Sequence, residues 1–217
     1  MLKYKSVMLN KKISIRSENM IIVSGFEPYG REKINPSMII AESFDGEKIE
    51  NEPIKGIVFP VSHKKVKPIV ENIIGEKPSI FLALGLSPKT TCIRLEVVAL
   101  NVAHSARADN DGYKPFDEKI YEDGELAYRG TLPFKKILQK LKRKKIPAVL
   151  SYHAGTFLCN YIYYTALHNT RKHRTKVGFV HIPHITELIV ENPEYPSLPK
   201  KTLLEGVKII LKETIKK

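Results

Sequence analysis

A single three-layer α/β/α domain with a mostly parallel, twisted central sheet is the fold that this 217-residue sequence predicts. Three observations predict it. Strand-like and helix-like patterns alternate along the chain, the mark of βαβ construction. Ile80–Leu86 is a continuous apolar run of the kind found in strands covered on both faces. Amphipathic periodicity recurs between such runs: in residues 131–145, Phe134, Ile137, Leu138 and Leu141 line one face, and Lys135, Lys136, Lys140 and Arg143 the other. At roughly 150 residues per domain the length favours one unit, large enough to bury a full core.

Taken in order, residues 20–24 (Met-Ile-Ile-Val-Ser) read as the first strand, and Gly25-Phe-Glu-Pro-Tyr-Gly30 as a turn-rich loop behind it. Pro36 opens a helix to about Phe44, because proline at the first helical position presets φ and its missing N–H costs nothing there. Asp45-Gly46 ends it. Extended segments follow at 47–52 and 54–59, and Ser62 N-caps a helix that Gly75 closes. Residues 92–103 look extended, with Arg94 and Glu96 set into an apolar run. From His104 to Tyr128 the chain is polar, with Asp-Asn-Asp-Gly at 109–112, which predicts an excursion of loops and short strands. After the 131–145 helix come a short strand at 147–151, an apolar helix at 157–168, a strand at 177–182 and an amphipathic helix at 203–215. Residues 1–19 form a basic extension ahead of the domain at 20–217.

Charge narrows the function classes. Lys+Arg total 36 against 23 Asp+Glu, a formal net charge of +13. The excess sits in the two termini, in 135–145 and in 171–176, and the remainder is net acidic. A nucleic-acid groove would interleave Arg with aromatics along one surface. This distribution describes a solvated Lys-rich face instead, so no specific nucleic-acid partner is expected. The rival reading, phosphate contact through 135–145, would give a steep salt dependence with random oligonucleotides. No apolar stretch approaches the roughly 18 residues that span a bilayer, and residues 1–19 lack the apolar core of a secretory signal. A cytoplasmic protein is expected, with Cys92 and Cys159 as reduced thiols.

Cys159 follows a short strand and the Ala154-Gly155 turn and leads into a helix. A helix N-terminus favours a thiolate through its dipole and free amides, which is a nucleophile's position. A small buried apolar residue is an equally weighted reading of the same position. Cys92 has no turn before it and no helix after it and reads as a packed strand residue. A cysteine nucleophile needs a base that takes its proton and later passes it to the leaving amine, and an imidazole held by a carboxylate does this. His181 lies at the carboxyl end of the 177–182 strand, where open α/β sheets place functional groups. His104, His153, His168, His173 and His184 fall in loops or on helices, and His181-Ile-Pro-His184 is too short and Pro-interrupted for a metal pair; no metal or cofactor is expected. Glu96 stands out because a Glu within an apolar strand is costly unless paired. Its alternative is a solvent-facing position on an exposed edge.

Four blocks of residues carry a family resemblance: Ser24-Gly-Phe-Glu-Pro-Tyr-Gly30 with Ile34-Asn-Pro36; Leu84-Gly-Leu-Ser-Pro88 through Glu96 to Asn101; Ser151-Tyr-His-Ala-Gly-Thr-Phe-Leu-Cys-Asn-Tyr161; and Gly178-Phe-Val-His-Ile-Pro183. In that order they resemble the pyroglutamyl peptidase I (pyrrolidone-carboxylate peptidase) family of cytoplasmic cysteine exopeptidases. The resemblance implies hydrolysis of an N-terminal pyroglutamyl residue from small peptides, with Cys159 as nucleophile, His181 as general base and then acid, and Glu96 orienting the imidazole. It implies a lactam pocket walled by Phe26, Tyr29 and Phe157, with Asn35 and backbone near Leu86 as polar contacts. It also implies a dimer or tetramer, for which the 104–128 excursion is a candidate arm. The chain departs from the family pattern at Tyr29, Lys89-Thr90, Arg94, Val97 and His153, and Arg107 stands one position out of register. These departures surround the trio rather than remove it. The alternative is a weak or inert relative that binds a ligand.

Overall fold

Asn19 through Gly30 and residues 33–216 are described by a computed structural model of the chain. The expected basic extension therefore lies outside the described residues, Asn19 excepted. Strand β1 (Ile21–Phe26) is followed by α1 (Pro36–Glu42), β2 (Lys48–Ile49), β3 (Glu52–Phe59), α2 (His63–Gly75), β4 (Ile80–Leu86), β5 (Ile93–Glu96), β6 (Val98–Leu100) and β7 (Ala127–Arg129). Then come α3 (Phe134–Arg143), β8 (Ala148–Ser151), α4 (Leu158–Asn169), β9 (Lys176–Ile182), β10 (His184–Ile185), β11 (Ser197–Leu198) and α5 (Lys200–Ile215). Among the described residues, a seven-stranded sheet has the order β2-β3-β1-β4-β9-β5-β8. Its neighbours run parallel except at β2–β3 and β5–β9, so the expected mostly parallel sheet is the one that forms.

Side-chain alternation sorts the core into two layers. Ile21, Val23, Leu82, Leu84, Val180 and Ile182 face one side, where α1, α3 and α5 cover them. Ile22, Phe81, Ala83, Val177 and Phe179 face the other, against α2 and α4. Local chemistry starts the helices where the sequence placed them. The Asn35 side chain accepts from the Ser37 N–H at 3.0 Å ahead of Pro36, and Ser62 Oγ accepts from the Lys65 N–H at 3.2 Å. These are N-cap contacts, each worth about 1 kcal/mol.

Two expectations are corrected. Residues 92–103 are not one extended segment, because the chain leaves the main sheet after Glu96. The Val97 N–H is taken by Ser151 O (2.7 Å) and its carbonyl by the Gly130 N–H (2.9 Å), while β6 pairs with β7 in a separate two-stranded sheet. Cys92 is a half-buried residue in the bend ahead of β5 rather than a packed strand position. The 104–128 excursion, expected as loops and short strands, is irregular up to β7 yet firmly held. The buried Asp109 carboxylate accepts the amides of His63 (2.9 Å), Asp111 and Tyr113 (3.0 Å each), and Asn101 accepts those of Ile120 and Tyr121. Buried polar side chains thus satisfy backbone groups that no ladder reaches.

Candidate active site

The alternation that builds the core also assembles the site. Val177 and Phe179 of β9 face α2 and α4, so His181 faces the same side at the strand's carboxyl end. On β5, Ile93 and Leu95 enter the opposite layer, which turns Arg94 and Glu96 toward α4. The strands are antiparallel neighbours with Arg94 opposite His181 and Glu96 opposite Phe179. His181 Nδ1 consequently lies 2.9 Å from Glu96 Oε1. Glu96 is fully buried, which excludes the solvent-facing alternative. Holding Nδ1 to the carboxylate leaves Nε2 as the working edge of the ring.

Cys159 is the second residue of α4 and half-buried. The turn that delivers it is built locally: Gly155 takes a left-handed φ of +81°, and its N–H donates to His153 Nδ1 at 3.0 Å. His153 thus closes the turn with the side-chain acceptor that a short polar residue provides elsewhere. The Thr156 hydroxyl donates to His104 O at 2.7 Å, tying the turn to the excursion. No side chain caps α4 at Phe157, leaving first-turn amides available to a ligand oxyanion. Asn160, fully buried, clamps the same turn: its Oδ1 accepts from the Leu100 N–H (2.8 Å) and its Nδ2 donates to Leu100 O and Val102 O.

Sulfur and imidazole meet over Gly85 of β4. A Cβ there would lie 3.0 Å from Cys159 Sγ, 3.3 Å from His181 Cδ2 and 2.9 Å from Phe179 Cζ. Cδ2 adjoins Nε2, so the edge of the ring away from Glu96 is the one beside the sulfur. Burial would push the His181 pKa down, but the charge and hydrogen bonding of Cys159, with Glu96 behind, outweigh it and hold the imidazolium up to about 9.

A cavity of about 770 Å³ opens onto Cys159. Phe26, Tyr29, Asn35, Leu86 and Phe157 all line it, so the five expected pocket positions converge on one space. The rings of Tyr29 and Phe157 stand 5.3 Å apart. Behind Phe157, the ring of buried His63 packs edge-on at 5.2 Å, its pKa lowered by burial against the pull of Asp109. Two expected contacts are already committed within the chain. Asn35 uses its amide to accept from Ser37 and donate to Glu27 O, and the Tyr29 hydroxyl donates to Ala108 O at 2.8 Å. Burial raises the Tyr29 pKa, with nearby Arg107 opposing.

Arg107 and Tyr195 also line the cavity, Gly85 lies beneath the sulfur and imidazole, and Asn160 clamps the turn that carries the sulfur. None of these roles was read from residue type. An Asn in an apolar helix was the available signal for Asn160; Gly85 within a buried strand signalled a close approach of another group. Tyr195 gave no signal, since it arrives on the loop between β10 and β11 and stacks on His184 at 5.2 Å.

Comparison with known proteins agrees over most of the chain. Residues 19–217 match the model of the family described as pyroglutamyl peptidase. The pyrrolidone-carboxylate peptidase of Pyrococcus furiosus is 40% identical over 198 residues, covering 88% of this chain and 95% of that protein. That of Thermococcus litoralis is 36% identical over 203 residues, covering 90% and 92%. Among solved structures, the pyrrolidone carboxyl peptidase from Thermococcus litoralis superposes with a TM-score of 0.87 at 36% identity, over 91% of this chain and 93% of that one. A mutant of the Pyrococcus furiosus enzyme gives 0.86 at 38% identity over 90% and 98%. With a family model matched over residues 19–217, relatives similar over nearly their full length and solved structures of the same fold, the chain belongs to the pyroglutamyl peptidase family of hydrolases.

Proposed function

We propose that the protein releases N-terminal pyroglutamate from peptides through a thioacyl-enzyme on Cys159, with His181 as base and acid and Glu96 as the orienting carboxylate. The observation that carries this reading is the 2.9 Å contact between His181 Nδ1 and the fully buried Glu96, on the sheet face where Cys159 overlies Gly85. The Cys159 thiolate attacks the pyroglutamyl carbonyl carbon, and the first-turn amides of α4 receive the oxyanion. As the tetrahedral adduct collapses, the C–N bond breaks and His181 Nε2–H protonates the departing amine. Water then adds to the thioester carbonyl while Nε2 takes its proton, and the C–S bond breaks to release pyroglutamate and the thiolate. Water and peptide balance the reaction, and no cofactor enters it.

Aromatic walls suit a flat, uncharged lactam, and backbone near Leu86 is the polar edge that reads it, with Asn35 already engaged. A site that hydrogen-bonds the lactam rejects analogues that leave its groups unpaired by about 10⁴–10⁵-fold. A fluorogenic pyroglutamyl amide should therefore be cleaved under reducing conditions, and the prolyl and glutaminyl analogues spared. Cys159→Ala should abolish release and Cys92→Ala should not. Absence of release by reduced protein between about pH 6 and 9 would replace this reading with ligand binding without turnover.

A further inference from the structure

Four side chains share one face of three adjacent strands: His181 on β9, Arg94 and Glu96 on β5, and Ser151 on β8. Arg94 lies across from His181 in the antiparallel pair, and Ser151 beside Glu96 in the parallel one. The guanidinium reaches over both. Its Nε donates to Glu96 Oε1 at 3.4 Å, and its Nη2 donates to Ser151 Oγ at 2.7 Å. Glu96 Oε1 is thus shared between His181 and Arg94, while Oε2 is buried without a hydrogen-bond partner.

The surroundings leave little else to hold a charge there. From α4, the Tyr163 hydroxyl donates to Glu96 O at 2.9 Å, and burial keeps that phenol neutral by pushing its pKa far up; Arg129 of β7 acts on Tyr163. Cys159 stands beyond His181. Among the described residues, the positive charges touching the Glu96 carboxylate are therefore His181, when protonated, and Arg94. His181 must give its proton away in each catalytic cycle. At that moment a buried carboxylate with an orphaned oxygen is left beside a neutral ring, and Arg94 is the cation that still pairs with it. Arginine remains charged throughout.

We propose that Arg94 is a positioning residue for the site, anchored by Ser151, which stays paired with Glu96 while His181 is neutral and sets the pH range in which Cys159 and His181 cooperate. This rests on the Cys-His-Glu reading above. Because the Arg94 side chain is 37% exposed, solvent screens its charge, and its effect is modest by the standard of buried pairs.

Removing a fixed positive charge raises every neighbouring pKa. Arg94→Met should therefore move both limbs of the kcat/KM–pH profile to higher pH by about half a unit to one unit. Its kcat should fall several-fold with KM nearly unchanged. Arg94→Lys should restore the limbs while recovering kcat only in part, because the charge returns without the fork that reaches Ser151. The rate of Cys159 alkylation by iodoacetamide against pH should show the same displacement of its acid limb with no substrate present. Superimposable profiles for wild type and Arg94→Met would overturn the proposal, as would equal displacement in Arg94→Lys. If Arg94→Met does not fold, Arg94→Gln, which keeps a donor for Ser151, is judged by the same criteria. Glu96→Gln separates the two readings: a silent Glu96→Gln refutes the trio itself, whereas an impaired Glu96→Gln beside an unmoved Arg94→Met refutes only the role of Arg94.

Discussion

Glu96 shows how one residue joins sequence, burial and chemistry. A carboxylate inside a strand is expensive unless paired, and pairing with His181 turns that cost into an oriented imidazole. Glu96→Gln should keep the fold and lower kcat by more than about tenfold while changing KM little, since the lost interaction strengthens as the imidazolium forms. The sign of its pH effect follows from the charges: loss of the anion destabilises the imidazolium, so the alkaline limb, set near 9 by His181, should move to lower pH. Steady-state kinetics from pH 6 to 10 check both. Gly85 makes a steric test. An added methyl would meet Phe179, Cys159 Sγ and the His181 ring, so Gly85→Ala should cost about 1–3 kcal/mol of stability. A displacement of a few tenths of an ångström at sulfur and imidazole should also lower kcat/KM several-fold, by about the sensitivity expected of near-attack geometry.

At the scale of elements, α4 matters most, because its first turn carries the sulfur. Asn160 fixes that turn to β6, so Asn160→Ala strands the Leu100 N–H and two carbonyls in a buried setting. A loss of about 2–4 kcal/mol and a lower Tm should result, together with slower Cys159 alkylation. Ser62, by contrast, spends its hydroxyl on the α2 cap and on Asp111, and Ser62→Ala should cost about 1 kcal/mol with kcat little changed. The starts of α1 and α2 were legible because their causes are local: Pro36 behind Asn35, and Ser62. The break after Glu96 was not legible. It depends on Ser151 and Gly130 arriving to take the polar groups of Val97, partners far along the chain. The β10–β11 pair escaped the reading for the same reason, each strand being two residues long.

For the molecule as a whole, His181 ties stability to pH. Its pKa is raised in the folded state above the ordinary 6.5, so folding gains from its protonation below about 6.5, and that gain is lost as pH rises through about 9. Denaturant titrations at pH 6.5 and 9.5 should show lower stability at the higher pH, and His181→Gln should flatten that difference. The positive excess lies on surfaces such as α3, away from the site, and among the described residues Arg107 is the cation that lines the cavity. Self-association, implied by family resemblance, predicts a mass above the 24.7 kDa of one chain in light scattering at micromolar concentration. Phe116 and Leu126, at 76% and 87% exposure, are the most exposed large apolar side chains that the excursion offers for it.

The sequence by itself determined the layered α/β architecture, the helix starts, and the candidates Cys159, His181 and Glu96. Periodicity, capping and an uncompensated charge in a strand are written into neighbouring residues. Only the tertiary structure decided that β5 runs antiparallel beside β9, which sets Glu96 against His181. It alone showed that Gly85 leaves room for the sulfur, that Asn35 and Tyr29 spend their polar groups internally, and that Arg94 leans onto Glu96. The physical reason is range: a cap or a turn is settled within about four residues, whereas strand order and the partner of a buried charge are settled by which distant segments pack together.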